Sequence, residues 1–454
     1  MKTNKGLEHG MAVIWLLVVL LLCTACSGGD TVSSNNLSTG NENAAVSPAP
    51  ITDTGEIVFS EEMMEASVIN AGNTYRLAEV MQRASAGEDI TIAYLGGSIT
   101  DGSLANPKES SCYAYLSQQW WEETFPETEF TYVNAGIGAT DSYIGVHRVT
   151  EDVISHQPDL VIVEFSVNDG RNHNKETYES LLRRLLLSQS EPAVLSLVLT
   201  TENGSNYGAE HAAVAFKLGV PILSYSALLS GGMLSWQQVG NSDGVHPDNP
   251  GHAVIAAILT GFYRQVYEGR EEILASGAYE VPEGTLTLNR YENAELVYSD
   301  EMYSEENDTE SAETEEDGIG NAVENTAGST TAAERRVEIV TMDGFLPEMT
   351  ASPLSNQNGW IATEGGTFIF SAECRALGFV YLETVNGSGG EYEIIVDGVS
   401  LQTLDADFPG GWGNYAEYVE CVKTTDAALH TVEIRSLPGA EENDLTICAI
   451  CVAY

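Results

Sequence analysis

Short apolar runs alternate with longer amphipathic stretches between residues 57 and 298. The apolar runs predict strands at Ile90–Leu95, Phe130–Asn134, Leu160–Phe165, Ala193–Thr200 and Val220–Ser224. The amphipathic stretches predict helices over 75–86, 113–124, 177–188, 209–218 and 249–267. Apolar strands that alternate with helices are typical of a parallel sheet covered by helices on both faces. Ligands bind such sheets at the carboxyl ends of the strands, so we expect a site there.

A different pattern fills residues 337–454, where short alternating runs are separated by glycine turns. The runs include 368–370, 379–382, 392–396, 431–434 and 445–454, and turns fall at Asn386-Gly387, Asp397-Gly398 and Gly410-Gly411. Short, regularly spaced strands with glycine turns predict an all-β, jelly-roll-like sandwich. The run from Thr285 to Tyr303 could add a strand to either domain, which leaves the boundary at 298 open.

Two segments have little to bury in a folded domain. Residues 27–56 are rich in Ser, Asn, Gly and Thr, a composition that predicts a disordered tether. Residues 299–336 contain a dense acidic run, and no Lys or Arg occurs between Arg290 and Arg335. Because like charges keep such a segment extended, we interpret it as an acidic disordered linker.

The first 26 residues have the pattern of an export signal. Lys2 and Lys5 precede the apolar run Met11–Leu22, which is short for a membrane span. The end of this segment resembles a bacterial lipobox with Cys26 as the lipidated residue, although Cys23 stands where that motif usually has Leu. We therefore expect a protein on the bacterial cell surface, held to the membrane through Cys26. The alternative is ordinary cleavage that releases a secreted protein.

Charge and cysteine content restrict the function further. The chain of 454 residues has 19 basic and 67 acidic side chains, a net charge of −48. Phosphate binding needs clustered Lys and Arg, so nucleic acid is not an expected partner, whereas neutral sugars and their esters are compatible. With Cys26 lipidated, the predicted mature chain keeps five thiols, an odd number that argues against a disulfide framework. We find no P-loop, dinucleotide or metal-ligand spacing and expect no cofactor or metal.

The chemistry-bearing residues lie far apart along the chain. Ser98 follows Gly96-Gly97 at the end of the first predicted strand, and His246 follows Asp243 by three residues. A serine hydroxyl needs a base to accept its proton, and a histidine needs a carboxylate to fix its tautomer. Ser98, His246 and Asp243 therefore form a candidate nucleophile, base and orienting acid.

Acyl transfer also needs donors for a developing oxyanion. The side-chain amide of Asn168, which follows the Leu160 strand, is one candidate. The backbone N–H groups of Ser98 and of Gly138 or Ala139 are the others, and the sequence leaves open which of the last two donates.

These segments together resemble the SGNH (GDSL-like) hydrolases. The first block is Gly96-Gly97-Ser98-Ile99-Thr100, the second runs from Asn134 to Thr140, the third is Val167-Asn168-Asp169, and the last runs from Asp243 to Pro247. The resemblance implies a flavodoxin-like three-layer α/β/α domain over 57–298 and a Ser98, His246, Asp243 triad. It also implies an oxyanion hole from Ser98, a second-block N–H and Asn168. Ala139 stands where this family usually has Gly.

The resemblance implies a serine esterase without a cofactor. Its first block is similar to secreted members thought to act on acylated carbohydrates, so we predict hydrolysis of acyl esters of sugars, chiefly acetyl esters. A lipase, lysophospholipase or thioesterase of the same family is one alternative. The other is a glycan-binding lipoprotein, in which Trp360, Trp412 and Tyr415 stack on sugar faces, although core packing is the default role of such aromatics.

Overall fold

The computed structural model describes residues 57–303, 337–349, 354, 357–437 and 444–454. The predicted signal peptide 1–26 with Cys26, the tether 27–56 and residues 304–336 of the acidic linker lie outside the described residues. No helix in the described ranges combines the length and apolar character needed to cross a bilayer.

Helices and strands alternate up to residue 303. The helices are α1 (Glu61–Ser67), α2 (Tyr75–Ser85), α3 (Ser98–Asp101), α4 (Lys108–Ser111), α5 (Tyr113–Thr124), α6 (Ser142–Asp152), α7 (Asn174–Leu186), α8 (Gly208–Leu218), α9 (Tyr225–Ser230), α10 (Trp236–Val239), α11 (Asn249–Ala275) and α12 (Ser299–Tyr303). The strands of the first sheet are β1 (Val68–Asn70), β2 (Ile90–Gly96), β3 (Phe130–Gly136), β4 (Leu160–Glu164), β5 (Ala193–Val198) and β6 (Ile222–Ser224).

The first sheet has the order β1-β6-β5-β4-β2-β3. Strands β2 to β6 pair in parallel, with β2 and β3 in register from Ile90 opposite Phe130 to Gly96 opposite Gly136. The edge strand β1 is antiparallel, a feature its three residues are too short to reveal by periodicity. Helices α2, α5 and α11 pack on one face, and α6, α7 and α8 pack on the other. The predicted three-layer α/β/α fold is confirmed.

The second sheet is built from longer strands. They are β7 (Ala294–Val297), β8 (Val337–Met349), β9 (Asn358–Glu383), β10 (Glu391–Val396), β11 (Val399–Asp405), β12 (Tyr415–Ser436) and β13 (Leu445–Ala453). Their order is β11-β10-β12-β9-β13-β7, and β8 pairs with β9. Most pairs are antiparallel, but β13 pairs with β9 in parallel. The predicted all-β domain is confirmed.

Alternate residues of β9 face two different cores, as expected for a strand buried on both sides. Ala376, Val380 and Leu382 face the cluster that continues into the α6–α8 layer. Leu377, Phe379 and Tyr381 face the interior of the β domain. The second sheet is therefore a wall shared by the two domains.

The shared wall approaches the first domain closely where its facing residues are small. They include Ala376, Ala416 and Ala449. At Gly378, a Cβ atom would lie 2.7 Å from the Tyr143 hydroxyl of α6. A side chain larger than hydrogen at position 378 would therefore displace α6 or the sheet.

The structure differs from the expected boundary near residue 298. Strand β7 pairs with β13, from Ala294 opposite Ala453 to Val297 opposite Ile450, so it belongs to the second sheet. Met302 of α12 is also buried in the β-domain core, although the linker was expected to begin at 299. A four-residue strand and a five-residue helix are too short for their apolar pattern to be read from the sequence.

Candidate active site

Ser98 lies where strand β2 gives way to helix α3, of which it is the first residue. A side chain on either of the two preceding residues would displace its neighbours. A Cβ atom on Gly96 would lie 2.5 Å from the Glu164 carbonyl oxygen, and one on Gly97 would lie 2.4 Å from Oδ1 of Asn168. The two glycines thus let the chain turn against the end of β4 and leave the Ser98 hydroxyl at the sheet's carboxyl edge.

His246 and Asp243 reach this edge from the loop before α11. The Nε2 atom of His246 lies 2.8 Å from Oγ of Ser98, and its Nδ1 atom lies 2.6 Å from Oδ2 of Asp243. The other carboxylate oxygen of Asp243 accepts hydrogen bonds from the backbone N–H groups of Val245 and His246, each at 3.0 Å. The three predicted triad residues are therefore brought together in the order that nucleophilic catalysis requires.

The charge of Asp243 is maintained in this environment. Burial raises the pKa of Asp243, but the hydrogen bonds from the His246 ring and from the two N–H groups outweigh it and hold that pKa below its usual value. An ionised Asp243 can only accept a hydrogen bond, so the ring proton of His246 stays on Nδ1, and the unprotonated Nε2 can accept the proton of Ser98.

The loop that carries His246 is fastened at several points. Asn241 donates its backbone N–H to the His246 carbonyl at 2.9 Å and its side-chain amide to the Pro247 carbonyl at 2.9 Å. Asp248 then caps α11 by accepting from the Gly251 N–H at 2.9 Å. The cap and the proline at the start of α11 agree with the helix start expected from the sequence.

The candidate oxyanion donors also meet at Ser98. The amide of Asn168 lies against Gly97, and Gly138 faces the Ser98 side chain closely enough that a Cβ atom there would lie 4.0 Å from Ser98 Cβ. Gly138 and Ala139 form a turn closed by the Thr140 N–H and the Ile137 carbonyl.

Ala139 adopts the left-handed conformation, with φ 61°. This conformation is unfavourable for a residue with a Cβ atom, which gives a physical reason for the glycine that the family usually has at this position. Within the described ranges, the N–H groups of Gly138 and Ala139 and the Asn168 side-chain amide have no protein acceptor. These three donors remain available to a ligand, and the backbone N–H group of either Gly138 or Ala139 can act as the second oxyanion donor.

Two buried residues outside the predicted triad and oxyanion hole hold these loops. Arg148 of α6 donates to the Ala135 carbonyl at 2.8 Å and to the Gly96 carbonyl at 3.1 Å, and so ties the end of β3 to the end of β2. Asp141, directly after the Gly138 turn, caps α6 by accepting from the N–H groups of Tyr143 and Ile144. The carbonyl groups that Arg148 contacts are brought together only by the fold, whereas the cap formed by Asp141 is local and was missed because helix α6 was not predicted.

The aromatic residues considered as sugar contacts separate into two classes. Trp360 is fully buried in the β-domain core, whereas Trp412 is 71% exposed. The Trp412 and Tyr415 rings lie 5.2 Å apart with 31° between their planes. Trp412 and Tyr415 therefore form an aromatic pair in which Trp412 is exposed and Tyr415 is half-buried, and Trp360 is a core residue. Among the residues described, no group of three or more His, Cys, Asp or Glu side chains could hold a metal ion.

Comparison with protein families matches the part of the chain that carries the triad. A model of the GDSL-like Lipase/Acylhydrolase family matches residues 94–254. Thioesterase 1/protease 1/lysophospholipase L1 of Escherichia coli (strain K12) is 28% identical over 183 residues, which is 38% of this chain and 82% of that relative.

Comparison with solved structures extends the similarity to both domains. The crystal structure of a two-domain esterase (CEX) active on acetylated mannans is 31% identical, with a TM-score of 0.71, and the match covers 86% of this chain and 98% of that one. The same esterase co-crystallized with mannopentaose gives 30% identity and a TM-score of 0.70, over 86% and 97% of the two chains.

Proposed function

This chain belongs to the GDSL-like lipase/acylhydrolase (SGNH) family of ester hydrolases, and we propose that it removes acyl groups, chiefly acetyl groups, from carbohydrates through an acyl-Ser98 intermediate. The observation that carries the proposal is the continuous hydrogen-bonded chain from Asp243 through His246 to Ser98.

The geometry supports a two-step mechanism. As the Ser98 hydroxyl attacks the acyl carbonyl carbon, its proton passes to Nε2 of His246, and the negative carbonyl oxygen is received by the N–H groups of Ser98 and the Gly138 turn and by Asn168. The tetrahedral intermediate collapses, the sugar oxygen takes the proton from His246, and the acyl group stays on Ser98. Water then attacks the acyl-enzyme, with His246 again acting as base, and releases the carboxylic acid.

The extent of the similarity supports a carbohydrate ester over a lipid or thioester. The match to the esterase active on acetylated mannans covers 86% of the chain, so it includes the β domain. The match to the E. coli thioesterase and lysophospholipase covers 38% and is confined to one domain's length. The exposed Trp412, which packs beside the half-buried Tyr415, adds an apolar face of the kind that sugar rings stack on.

The first experiment measures acetate release from acetylated mannan and acetylated xylan by the purified protein, with 4-nitrophenyl acetate as a small reference ester. We expect Ser98→Ala to lose at least about 10⁴-fold in kcat on every substrate. Ser110→Ala, which changes an exposed serine, is the matched control and should be as active as the wild type. Unchanged activity in Ser98→Ala would exclude the mechanism.

The second experiment separates the substrate classes. A series of 4-nitrophenyl esters of increasing acyl length should show the highest kcat/KM at two carbons, and a preference for eight carbons or more would favour the lipase alternative. Trp412→Ala should raise KM on the acetylated polymers and leave 4-nitrophenyl acetate hydrolysis unchanged. Glycan binding without any ester hydrolysis would support the glycan-binding lipoprotein instead.

We also propose that the protein is anchored to the bacterial cell surface through a lipid on Cys26, for which the lipobox-like sequence is the support. In cells fed a labelled fatty acid, the full chain should become labelled and remain in the membrane fraction. The Cys26→Ala variant should lose the label. Equal labelling in the two chains would contradict the anchor.

A further inference from the structure

A tyrosine of the β domain reaches into the first domain beside the active site. The Tyr418 side chain, from β12, is buried, and its hydroxyl lies 2.6 Å from Oδ2 of Asp141 and 2.7 Å from Nε2 of His173. Both partners belong to the first domain and lie more than 240 positions away in the sequence. This contact therefore exists only when the β domain is docked.

The ring of Tyr418 is fixed on both faces. It stacks on Tyr143 of α6, with 4.2 Å between ring centroids and 11° between planes. The guanidinium carbon of Arg171 lies 4.3 Å from the ring centroid, a cation–π distance. Arg171 also donates to the carboxylate of Glu417 at 2.7 Å. The hydroxyl is thus presented to Asp141 by a ring with little freedom to move.

The direction of the hydrogen bonds follows from the partners. A carboxylate can only accept, so Tyr418 donates its proton to Asp141, and its oxygen accepts the proton on Nε2 of His173. The other ring nitrogen of His173 lies 3.1 Å from Oε2 of Glu420. A chain of polar contacts therefore runs from Glu420 through His173 and Tyr418 to Asp141.

Asp141 links this chain to the candidate oxyanion hole. It comes two residues after Ala139, and besides Tyr418 it accepts from the N–H groups of Tyr143 and Ile144 and from the Asn174 amide at 3.0 Å. It therefore fixes the point where the Gly138 turn ends and α6 begins.

The second arm of the hole is tied to the same place. Asp169 follows Asn168 directly, and its Oδ1 atom accepts from the Ser142 N–H at 2.8 Å. Its Oδ2 atom lies 2.7 Å from Nε2 of the buried His211. Both segments that carry oxyanion donors are therefore anchored at the first residues of α6, where Tyr418 makes its contact.

We propose that Tyr418 is a positioning residue for ester hydrolysis: by donating to Asp141 it holds the N-terminus of α6, and with it the Gly138 turn and Asn168, in the arrangement that stabilises the oxyanion. The proposal rests on the proposed function of Ser98 as the nucleophile. It assigns to the β domain a part in transition-state stabilisation that is separate from any contact with a sugar chain.

The test is Tyr418→Phe, which removes one oxygen and keeps the stacked ring. We expect kcat on 4-nitrophenyl acetate to fall about tenfold with KM unchanged, since a small displacement of the donors weakens only the transition state. The loss should be the same on an acetylated polymer. The rate at which a fluorophosphonate probe modifies Ser98 should fall by a similar factor, and this readout does not depend on which ester is the natural substrate.

Tyr381→Phe is the matched control, because its hydroxyl also contacts a carboxylate, that of Glu383 at 2.9 Å, but on the face of the same sheet that lines the β-domain core. It should retain kcat. Asp141→Asn tests the link independently of whether Tyr418→Phe folds: it should lower kcat, and adding Tyr418→Phe to it should cost little more.

Several outcomes would overturn the inference. They are an unchanged kcat in Tyr418→Phe or in Asp141→Asn, an effect limited to KM on polymers, or an equal loss in the Tyr381→Phe control. Failure of the proposed function has a different signature, namely a wild-type protein whose Ser98 reacts with the probe but which releases no acid from any acetyl ester.

Discussion

The two sheets of this protein bury their apolar side chains in different ways. In the first, strands of three to seven residues are each followed by a helix, and the reactive side chains stand at their carboxyl ends. In the second, β9 and β12 run for 26 and 22 residues, and alternate side chains of β9 serve two cores. The first sheet assembles the chemistry from local turns, whereas the second supplies a wall on which the first domain rests. An accessory domain can therefore share a hydrophobic core with the catalytic domain beside it.

Substitutions of buried leucines on β9 test whether the two domains unfold in a single cooperative transition. Leu377 and Leu382 lie on the same strand but face the β-domain core and the shared core, respectively. Replacing either with Ala should lower the free energy of unfolding by about 2–5 kcal/mol, through lost burial and the cavity left behind. Because the wall belongs to both domains, chemical denaturation followed by circular dichroism and by residual activity should show a single transition for both variants.

The exposed Leu429 of β12 provides the control, and Leu429→Ala should change little. If Leu377→Ala unfolds the β domain in a separate step that leaves esterase activity intact, the two domains unfold independently, which would contradict a core shared between them.

The next effect concerns Glu164, a fully buried carboxyl in the first sheet. Burial raises the pKa of Glu164, at the end of β4, to about 7 from an ordinary value of 4.5. The folded state thus holds this proton more tightly, so its contribution to stability is full below pH 4.5 and is lost as the pH rises to about 7. Relative to Glu164→Gln, which does not titrate, the wild type should lose about 3 kcal/mol of unfolding free energy across that interval.

Denaturant titrations of both proteins between pH 4 and pH 8 give this difference directly. The exposed Glu338 of the second sheet is a control, and Glu338→Gln should follow the wild type at every pH. Parallel curves for the wild type and Glu164→Gln would show that Glu164 keeps an ordinary proton affinity.

A smaller effect sharpens the assignment of chemistry to the first sheet. Ala at position 97 would bring its Cβ atom to 2.4 Å from Oδ1 of Asn168, so Gly97→Ala should push that amide away from the oxyanion. We expect kcat on 4-nitrophenyl acetate to fall about 100-fold, as for the loss of one oxyanion donor, with little change in thermal stability. Gly170→Ala, where a Cβ atom would meet nothing within 4 Å, should be fully active. Full activity in Gly97→Ala would remove Asn168 from the hole.

The smallest effect is a gain in stability at the Gly138 turn. Ala139 has φ 61°, so Ala139→Gly removes the steric cost of the left-handed conformation but adds freedom to the unfolded chain. The free energy of unfolding should rise by no more than about 1 kcal/mol, with kcat unchanged because the N–H group remains. At Ala86, where φ is −90°, the same substitution should lower stability. A loss at position 139 would mean that the Ala139 methyl group makes contacts worth more than the strain.

The first domain was the more predictable of the two because its signals are local. The strand expected at Ile90–Leu95 is β2 over Ile90–Gly96, and the helix expected over 113–124 is α5 with those bounds. Helix α6 was missed: its sequence from Ser142 carries Gly145, several β-branched residues and buried polar residues, which together mask the amphipathic period. In the second domain the alternation is blurred, since strands buried on both faces lack a polar side.

The residues of the candidate site also differ in how far they can be predicted from the sequence. Ser98, Asp243, His246 and Asn168 could be proposed from sequence because each sits in a short block with its own turn chemistry, and the structure brings them together. Asp141 and Tyr418 could not, since their contact joins positions 277 apart and neither lies in a pattern that indicates a partner. A contact of this kind can be identified only once the structure shows how the two domains pack together.

The glycine at position 378 has a consequence for anyone who would recombine these domains. The Tyr143 phenol contacts the surface of the sheet at Gly378, where the wall offers no side chain. A chimera that joins this catalytic domain to a foreign β domain would need a glycine at the position equivalent to Gly378, or helix α6 would be displaced. Exchange between relatives should therefore succeed only when Gly378 and Tyr143 are transferred as a pair.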